Sequence, residues 1–136
     1  YDGSAEIMSL ITRVYYIGTG ASGGPALFRK DMQGGSMPAT GQELVEDVES
    51  MQILYGEDTN TDGNADIYRL PVAVTDWSRI VSVRIGLLVR TARERGPDVD
   101  TNVYPVVAGA NFDPADDRRQ RRLFASTIQL RNQRTD

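Results

Sequence analysis

The residues best suited to chemistry lie together, in the run Gly56-Glu57-Asp58-Thr59-Asn60-Thr61-Asp62-Gly63-Asn64-Ala65-Asp66. With Asp58 as position 1, oxygen-bearing side chains fall at positions 1, 3, 5 and 9 (Asp58, Asn60, Asp62 and Asp66). Gly63 stands at position 6, where a calcium loop of the EF-hand type turns sharply, and Asn64 at position 7 offers its backbone carbonyl. Calcium is a hard cation that takes six to eight oxygens in irregular geometry, and alternate residues of a tight loop can supply them. The expected metal ligands are therefore Asp58, Asn60, Asp62, Asn64 and Asp66, and the expected cofactor is a structural calcium ion. One position departs from the pattern. Arg69 occupies position 12, where an EF-hand carries a bidentate Glu, and the flanking segments read as strand. Water or a more distant carboxylate, Glu57 or Asp76, must then complete the shell, and the affinity expected is in the ~10⁻⁴ to 10⁻³ M range of extracellular sites. The competing reading is a polar β-turn, since Asp, Asn and Gly also dominate turns for steric reasons. Against it, three Asp within nine residues repel one another unless a cation sits among them.

What the chain lacks narrows the rest. Without Cys there is no disulfide, thiolate nucleophile or cysteine metal site. Without His the usual general base and the commonest transition-metal ligand are missing. Carboxylate pairs such as Glu46/Glu49 or Asp113/Asp116 could be named, but nothing fixes them at glycosidase separations, so a non-catalytic protein is expected. A net charge of −4 argues against a nucleic-acid partner. No stretch approaches the apolar length of a membrane span, and no signal sequence opens the chain. The chain starts at Tyr1 and reads as an excised, extracytoplasmic piece of one domain over residues 1–136.

The elements that must position the loop are short strands separated by Gly/Ser/Pro-rich punctuation at 18–25, 34–41 and 96–111. The clearest strand is 80–90. Val81, Val83, Ile85, Leu87 and Val89 alternate with Ser82, Arg84, Gly86, Leu88 and Arg90, which predicts the first set facing the core. Residues 123–132 repeat the pattern, with Phe124, Ile128 and Leu130 expected inward and this strand paired to 80–90 across a long excursion. Met51, Ile53 and Tyr55 mark a third strand, preceded by one helical turn at 42–47, and 25–31 is a fourth. Residues 7–17 mix a helical stripe with a strand-prone Tyr15-Tyr16-Ile17, and are read as strand with helix leading in. The sum is an α+β or mostly β domain on an antiparallel sheet.

Two further clusters carry less. The run Asp116-Asp117-Arg118-Arg119-Gln120-Arg121-Arg122 reads as a solvated loop entering a strand, because carboxylates flank it and no aromatic interleaves it. Asp98, Asp100, Asn111, Asp113, Asp116 and Asp117 could form a second cation site, although their spacing follows no known loop. Trp77 is expected to pack in the core at a strand entrance.

Several segments taken in order resemble a known family. They are Pro25-Ala-Leu-Phe-Arg-Lys, the stretch from Glu43 through Val48 to Gly56, the acidic loop, Trp77 with 80–90, and Arg121-Arg-Leu-Phe-Ala-Ser-Thr-Ile-Gln-Leu-Arg-Asn132. This order is similar to the C-terminal part of PilW-type minor pilins of type IV pili, and more distantly to J-type minor pseudopilins of type II secretion. The resemblance runs from Tyr15 onward and is most specific at 48–56 and 81–90. It implies an α+β pilin-like antiparallel sheet with long loops, whose N-terminal hydrophobic helix is missing from this chain. It also implies a non-catalytic subunit that primes pilus assembly at the periplasmic face of the inner membrane and then sits in the surface fibre. Its implied partners are other minor pilins and a tip adhesin, with membrane contact only through the missing helix. Calcium is no defining property of that family, so the ion rests on the loop alone. A stand-alone calcium-dependent adhesive or sugar-recognition module, using Tyr55, Tyr68 and Trp77, is the alternative.

Overall fold

A computed structural model describes residues 11–32, 34–107 and 110–130. The chain divides into two compact units, Tyr1–Glu46 and Asp47–Asp136. In the first, β1 (Arg13–Thr19), β2 (Pro25–Asp31) and β3 (Gln42–Glu46) form an antiparallel sheet in that order. The β1–β2 hairpin closes at Gly20, whose N–H donates to the Gly24 carbonyl at 2.8 Å, while Gly23 takes a φ of +81° that only glycine adopts freely. Tyr16 and Phe28, paired in register, stack with ring centroids 5.4 Å apart, and Ala26 is buried.

The second unit is built on a four-stranded antiparallel sheet. Its strands are β4 (Val48–Glu57), β5 (Ile67–Arg69), β6 (Ile80–Arg90) and β9 (Arg121–Gln129), in the order β5-β4-β6-β9. A smaller hairpin pairs β7 (Tyr104–Val107) with β8 (Ala110–Phe112). The pairing expected between 80–90 and the last strand is present. Phe124 lies opposite Leu87 and Ile128 opposite Val83, with the whole 91–120 segment as excursion.

Two expectations are corrected. The domain is nearly all β and not α+β: the only helical elements among the described residues are the 3-10 turns Pro71–Ala73 and Trp77–Arg79. The helical turn expected at 42–47 is the strand β3, because pairing with β2 satisfies its backbone, whereas so short a helix has little stability of its own. In the 7–17 segment, β1 starts at Arg13, and residues 7–10 lie outside the described residues.

The second correction concerns which face of the sheet is inside. Leu54, Ser82, Gly86 and Leu88 are buried, on the face expected to be mixed and partly wet, and of the set expected inward Val81 alone is buried as well. The other face is more open: Met51, Ile53, Tyr55, Val83, Ile85 and Leu87 are half-buried, while Phe124 and Ile128 are 50% and 51% exposed. Leu130, also expected inward, is exposed as well. The cause is β7. Its buried Val106 and Val107 lie directly over Gly86, where the missing side chain leaves room for the Val106 backbone.

A charge cluster holds that cover in place. The Arg121 side chain, fully buried, spreads its guanidinium over three carboxylates. Nε and Nη2 reach Glu49 at 2.7 and 3.2 Å, and Nη1 reaches Asp117 at 2.9 Å and Asp100 at 3.1 Å. Arg90 adds a second cation, at 3.2 Å from Glu49 and 3.1 Å from Asp47. Tyr104, the first residue of β7, donates its hydroxyl to Asp100 at 2.7 Å. The excursion is thereby tied to both β4 and β9. Burial opposes ionisation of Asp100, but hydrogen bonds from Tyr104, Asn102 and Arg121 outweigh it and hold its pKa at about 2. Burial works against the charge on Arg121 too, and its three carboxylate partners overcome it, raising its pKa above the ordinary arginine range.

Candidate functional site

The 58–66 loop joins β4 to β5, so its two ends are fixed by adjacent antiparallel strands. Asp66 N–H donates to the Glu57 carbonyl at 3.0 Å, and Asp58 N–H to the Arg79 carbonyl at 2.9 Å, which closes the mouth of the loop. Asp58 is 3% exposed and organises the interior. Its Oδ1 accepts the N–H groups of Thr61 at 2.6 Å, Asn60 at 3.2 Å and Asp62 at 3.3 Å, and its Oδ2 accepts that of Gly63 at 2.7 Å. Four successive amides thus converge on one carboxylate, the arrangement that wraps a chain into a tight coil. The coil needs left-handed backbone at Thr61 (φ +68°) and Gly63 (φ +84°). The second is free for glycine; the first is unusual for a β-branched residue. Burial raises the Asp58 pKa, but the four amides, Gly63 foremost, bring the balance below the ordinary carboxylate value.

The other ligand candidates sit on the outer side of this coil. Asp66 Oδ2 accepts the Thr59 N–H at 2.7 Å and the Thr59 hydroxyl at 2.8 Å, which depresses its pKa. Asp62 Oδ1 accepts the Asn64 N–H at 2.8 Å. Between the two stands Asn60, whose Nδ2 lies 3.3 Å from Asp62 Oδ2 and 3.2 Å from Asp66 Oδ1. The structure therefore brings Asn60, Asp62 and Asp66 together around one point, with an amide NH₂ between two carboxylates. Asp58 lies beneath them, committed to the backbone. No group of three carboxylates among the described residues converges closely enough to hold a metal by itself.

Both residues considered for completing the shell are engaged elsewhere. Glu57, 2% exposed, takes the Thr75 hydroxyl on Oε1 and Arg69 Nε on Oε2 at 2.8 Å, and Thr75 is the main reason its pKa is lowered. Arg69 therefore neutralises a buried carboxylate at the position where an EF-hand has its Glu. Asp76 caps the 3-10 turn at Trp77–Arg79, accepting from Ser78 N at 2.9 Å and Oγ at 2.6 Å. Arg79 Nη1 reaches back to the Thr59 carbonyl at 3.1 Å, so a cation already flanks the loop.

Of the aromatic residues near the loop, Tyr55 and Tyr68 are half-buried and Trp77 is exposed. Trp77 is 54% exposed and rests edge-on against Tyr55 at 4.8 Å, in place of the core position expected. Tyr68 accepts a hydrogen bond from Ser82 and lies under the Arg84 guanidinium at 3.9 Å. The proposed second cation site is occupied by protein charge, since Arg121 bridges Asp100 and Asp117, while Asp98, Asp113 and Asp116 are exposed. The 116–122 run is correspondingly more than a solvated loop, because its arginine at 121 is buried. No spacing rule could have found that partnership, since Glu49 is 72 residues away from Arg121. Beside it a cleft of about 520 Å³ is lined by Arg95, Asp98, Asn102, Tyr104 and Arg118.

Fold and loop together define a small antiparallel β domain with a self-wrapped acidic loop at one strand end. A family model described as type IV pilus-assembly protein W (PilW) matches residues 14–132, and the chain belongs to that family. No curated protein and no solved structure matches it. Membership makes the chain a component of type IV pilus assembly, an envelope-associated role carried out with other pilus proteins. No helix among the described residues is long and apolar enough to cross a membrane.

Proposed function

We propose that this chain is the β domain of a minor pilin, which primes assembly of a type IV pilus, is incorporated in the fibre and has a 58–66 loop ordered by calcium. The family match over residues 14–132 supports the pilus part of the reading. The arrangement around Asn60 supports the ion: two carboxylates that would otherwise repel face each other across a single amide group. Turning that amide over gives up the hydrogen bond its Oδ1 accepts from the Asp62 N–H at 3.0 Å and presents Asn60 Oδ1 beside Asp62 Oδ2 and Asp66 Oδ1, three oxygens suited to a hard cation. The Asn64 carbonyl and water complete the shell, and Asp58 shapes the coil beneath. Calcium would then stiffen the β4–β5 connection; it takes no part in catalysis.

Thermal unfolding of the chain in calcium, magnesium and EDTA, with Asp62→Ala alongside, tests the ion. The expected result is a calcium-specific rise in Tm that the variant loses, equivalent to about 1.4 kcal/mol at ten times Kd. Identical curves in calcium and EDTA would reduce the loop to a polar turn. Incorporation is tested separately by immunoblotting sheared, purified pili: a protein found only in the cell envelope fraction sinks the fibre-subunit reading.

A further inference from the structure

The last strand of the larger sheet leaves one long edge without a partner among the described residues, since β9 ends the order β5-β4-β6-β9. Sheet edges are ordinarily protected by charges, proline, bulges or brevity. Here nine consecutive residues pair with β6 without a register shift. Leu123-Phe124-Ala125-Ser126-Thr127-Ile128-Gln129-Leu130 contains no charge, proline or glycine.

The hydrogen-bonding pattern of the edge follows from one contact. Leu130 N–H donates to the Val81 carbonyl at 2.8 Å, so Leu130 and every second residue before it (Ile128, Ser126, Phe124) spend their backbone groups on β6. Leu123, Ala125, Thr127 and Gln129 therefore turn their N–H and C=O groups outward. We propose that this edge pairs with the same edge of a second copy of the chain, antiparallel about Ser126, joining two four-stranded sheets into one.

The sequence is self-complementary in that register. Leu123 meets Gln129 and Ala125 meets Thr127, so all four outward residues fall into hydrogen-bonded pairs. Phe124 meets Ile128 on the open face, twice by symmetry, in the non-hydrogen-bonded pairs where side chains approach most closely. These are the two half-exposed apolar residues of β9. Arg121 and Arg122 of one copy lie at the opposite end of the seam from those of the other. The contact is isologous and closes on itself. It depends on the sheet edge alone, whatever the loop at 58–66 binds.

The test is the sedimentation of the purified chain over a wide concentration series, with two variants. Ala125→Pro removes an outward N–H that β6 does not use, and Ile128→Lys puts a charge in the seam. Reversible dimerisation by the wild type is expected, with monomer for both variants at unchanged circular dichroism. Register is read by oxidation of single cysteines, the natural chain having none. Ser126→Cys faces its own copy and is expected to give a covalent dimer, while Thr127→Cys faces Ala125 and is expected to give no covalent dimer. A wild type that stays monomeric throughout, a dimer that survives both substitutions, or equal cross-linking at 126 and 127 would each overturn the proposal. The cysteine pair decides the matter even if Ala125→Pro fails to fold.

Discussion

Replacing Arg121 by Met asks how much the buried charge cluster stabilises the fold. Met keeps most of the aliphatic volume and removes the guanidinium, which touches Glu49, Asp100 and Asp117 from a side chain with no solvent exposure. Breaking a buried pair by deleting one partner costs about 3–5 kcal/mol, because the remaining charge is left uncompensated. Each carboxylate here retains another donor: Arg90 for Glu49, Tyr104 for Asp100 and the Arg119 N–H for Asp117. The expected loss is therefore at the lower end, about 3 kcal/mol, or a Tm lower by roughly 10 °C. Lys in the same place carries the charge without the planar fork and is expected to recover about half. Urea unfolding followed by circular dichroism at pH 7 supplies the number, and a repeat at pH 4 supplies a check. With the cation gone the carboxylates repel, Asp100 and Asp117 lose the guanidinium that helps hold their pKa values down, and the folded variant takes up protons, so its deficit should shrink on acidification. A Met variant within about 1 kcal/mol of wild type at pH 7, or one whose deficit grows in acid, would refute the reasoning.

Two further outcomes follow from the same unit. Gly86→Ala would drive a methyl group onto the Val106 carbonyl and to 2.8 Å from Val107 Cγ1; since the obstruction is backbone, a loss of about 2–3 kcal/mol is expected in the same unfolding assay. Wild-type stability should fall as pH drops from 4 toward 2. Asp100 titrates near 2 in the fold against 3.8 as its reference value, so the unfolded chain binds more protons in that window. The stabilisation is present above pH 4 and lost below, on the order of 1 kcal/mol once solvent screening at a partly exposed group is allowed for, and Asp100→Asn should flatten that part of the pH profile.

Local pattern carried the strands and failed on the side they present. Residues 25–31 became β2, Met51, Ile53 and Tyr55 fell within β4, and the strand pairing across the excursion followed from matching alternations. The sequence pattern of β6 gives both faces some apolar residues, so which one is buried depends on what covers it. The cover is β7, in a stretch whose Gly, Pro and Asn content reads as loop and whose Pro105 argues against a strand. In the loop, composition located Asn60, Asp62 and Asp66 correctly as neighbours. It could not reveal that four backbone amides would converge on Asp58, because that depends on the left-handed turns at Thr61 and Gly63.

The charge cluster and the free edge are parts of one arrangement. Arg121 is the first residue of β9, and its bonds to Glu49 on β4 and to Asp100 in the excursion fix where that strand begins. A strand slipped by one residue would exchange its faces, sending Phe124 and Ile128 toward β7 and Leu123 and Ala125 to the open side. The same slip would turn the backbone groups of the even-numbered residues outward and destroy the self-complementary register about Ser126. A buried ion cluster is a weak source of stability, since apolar residues could fill the space at similar or lower cost. Its connections are a stronger reason for its presence: through Arg121 it ties the start of β9 to Glu49 on β4 and to Asp100 and Asp117 in the excursion, stretches far apart in sequence.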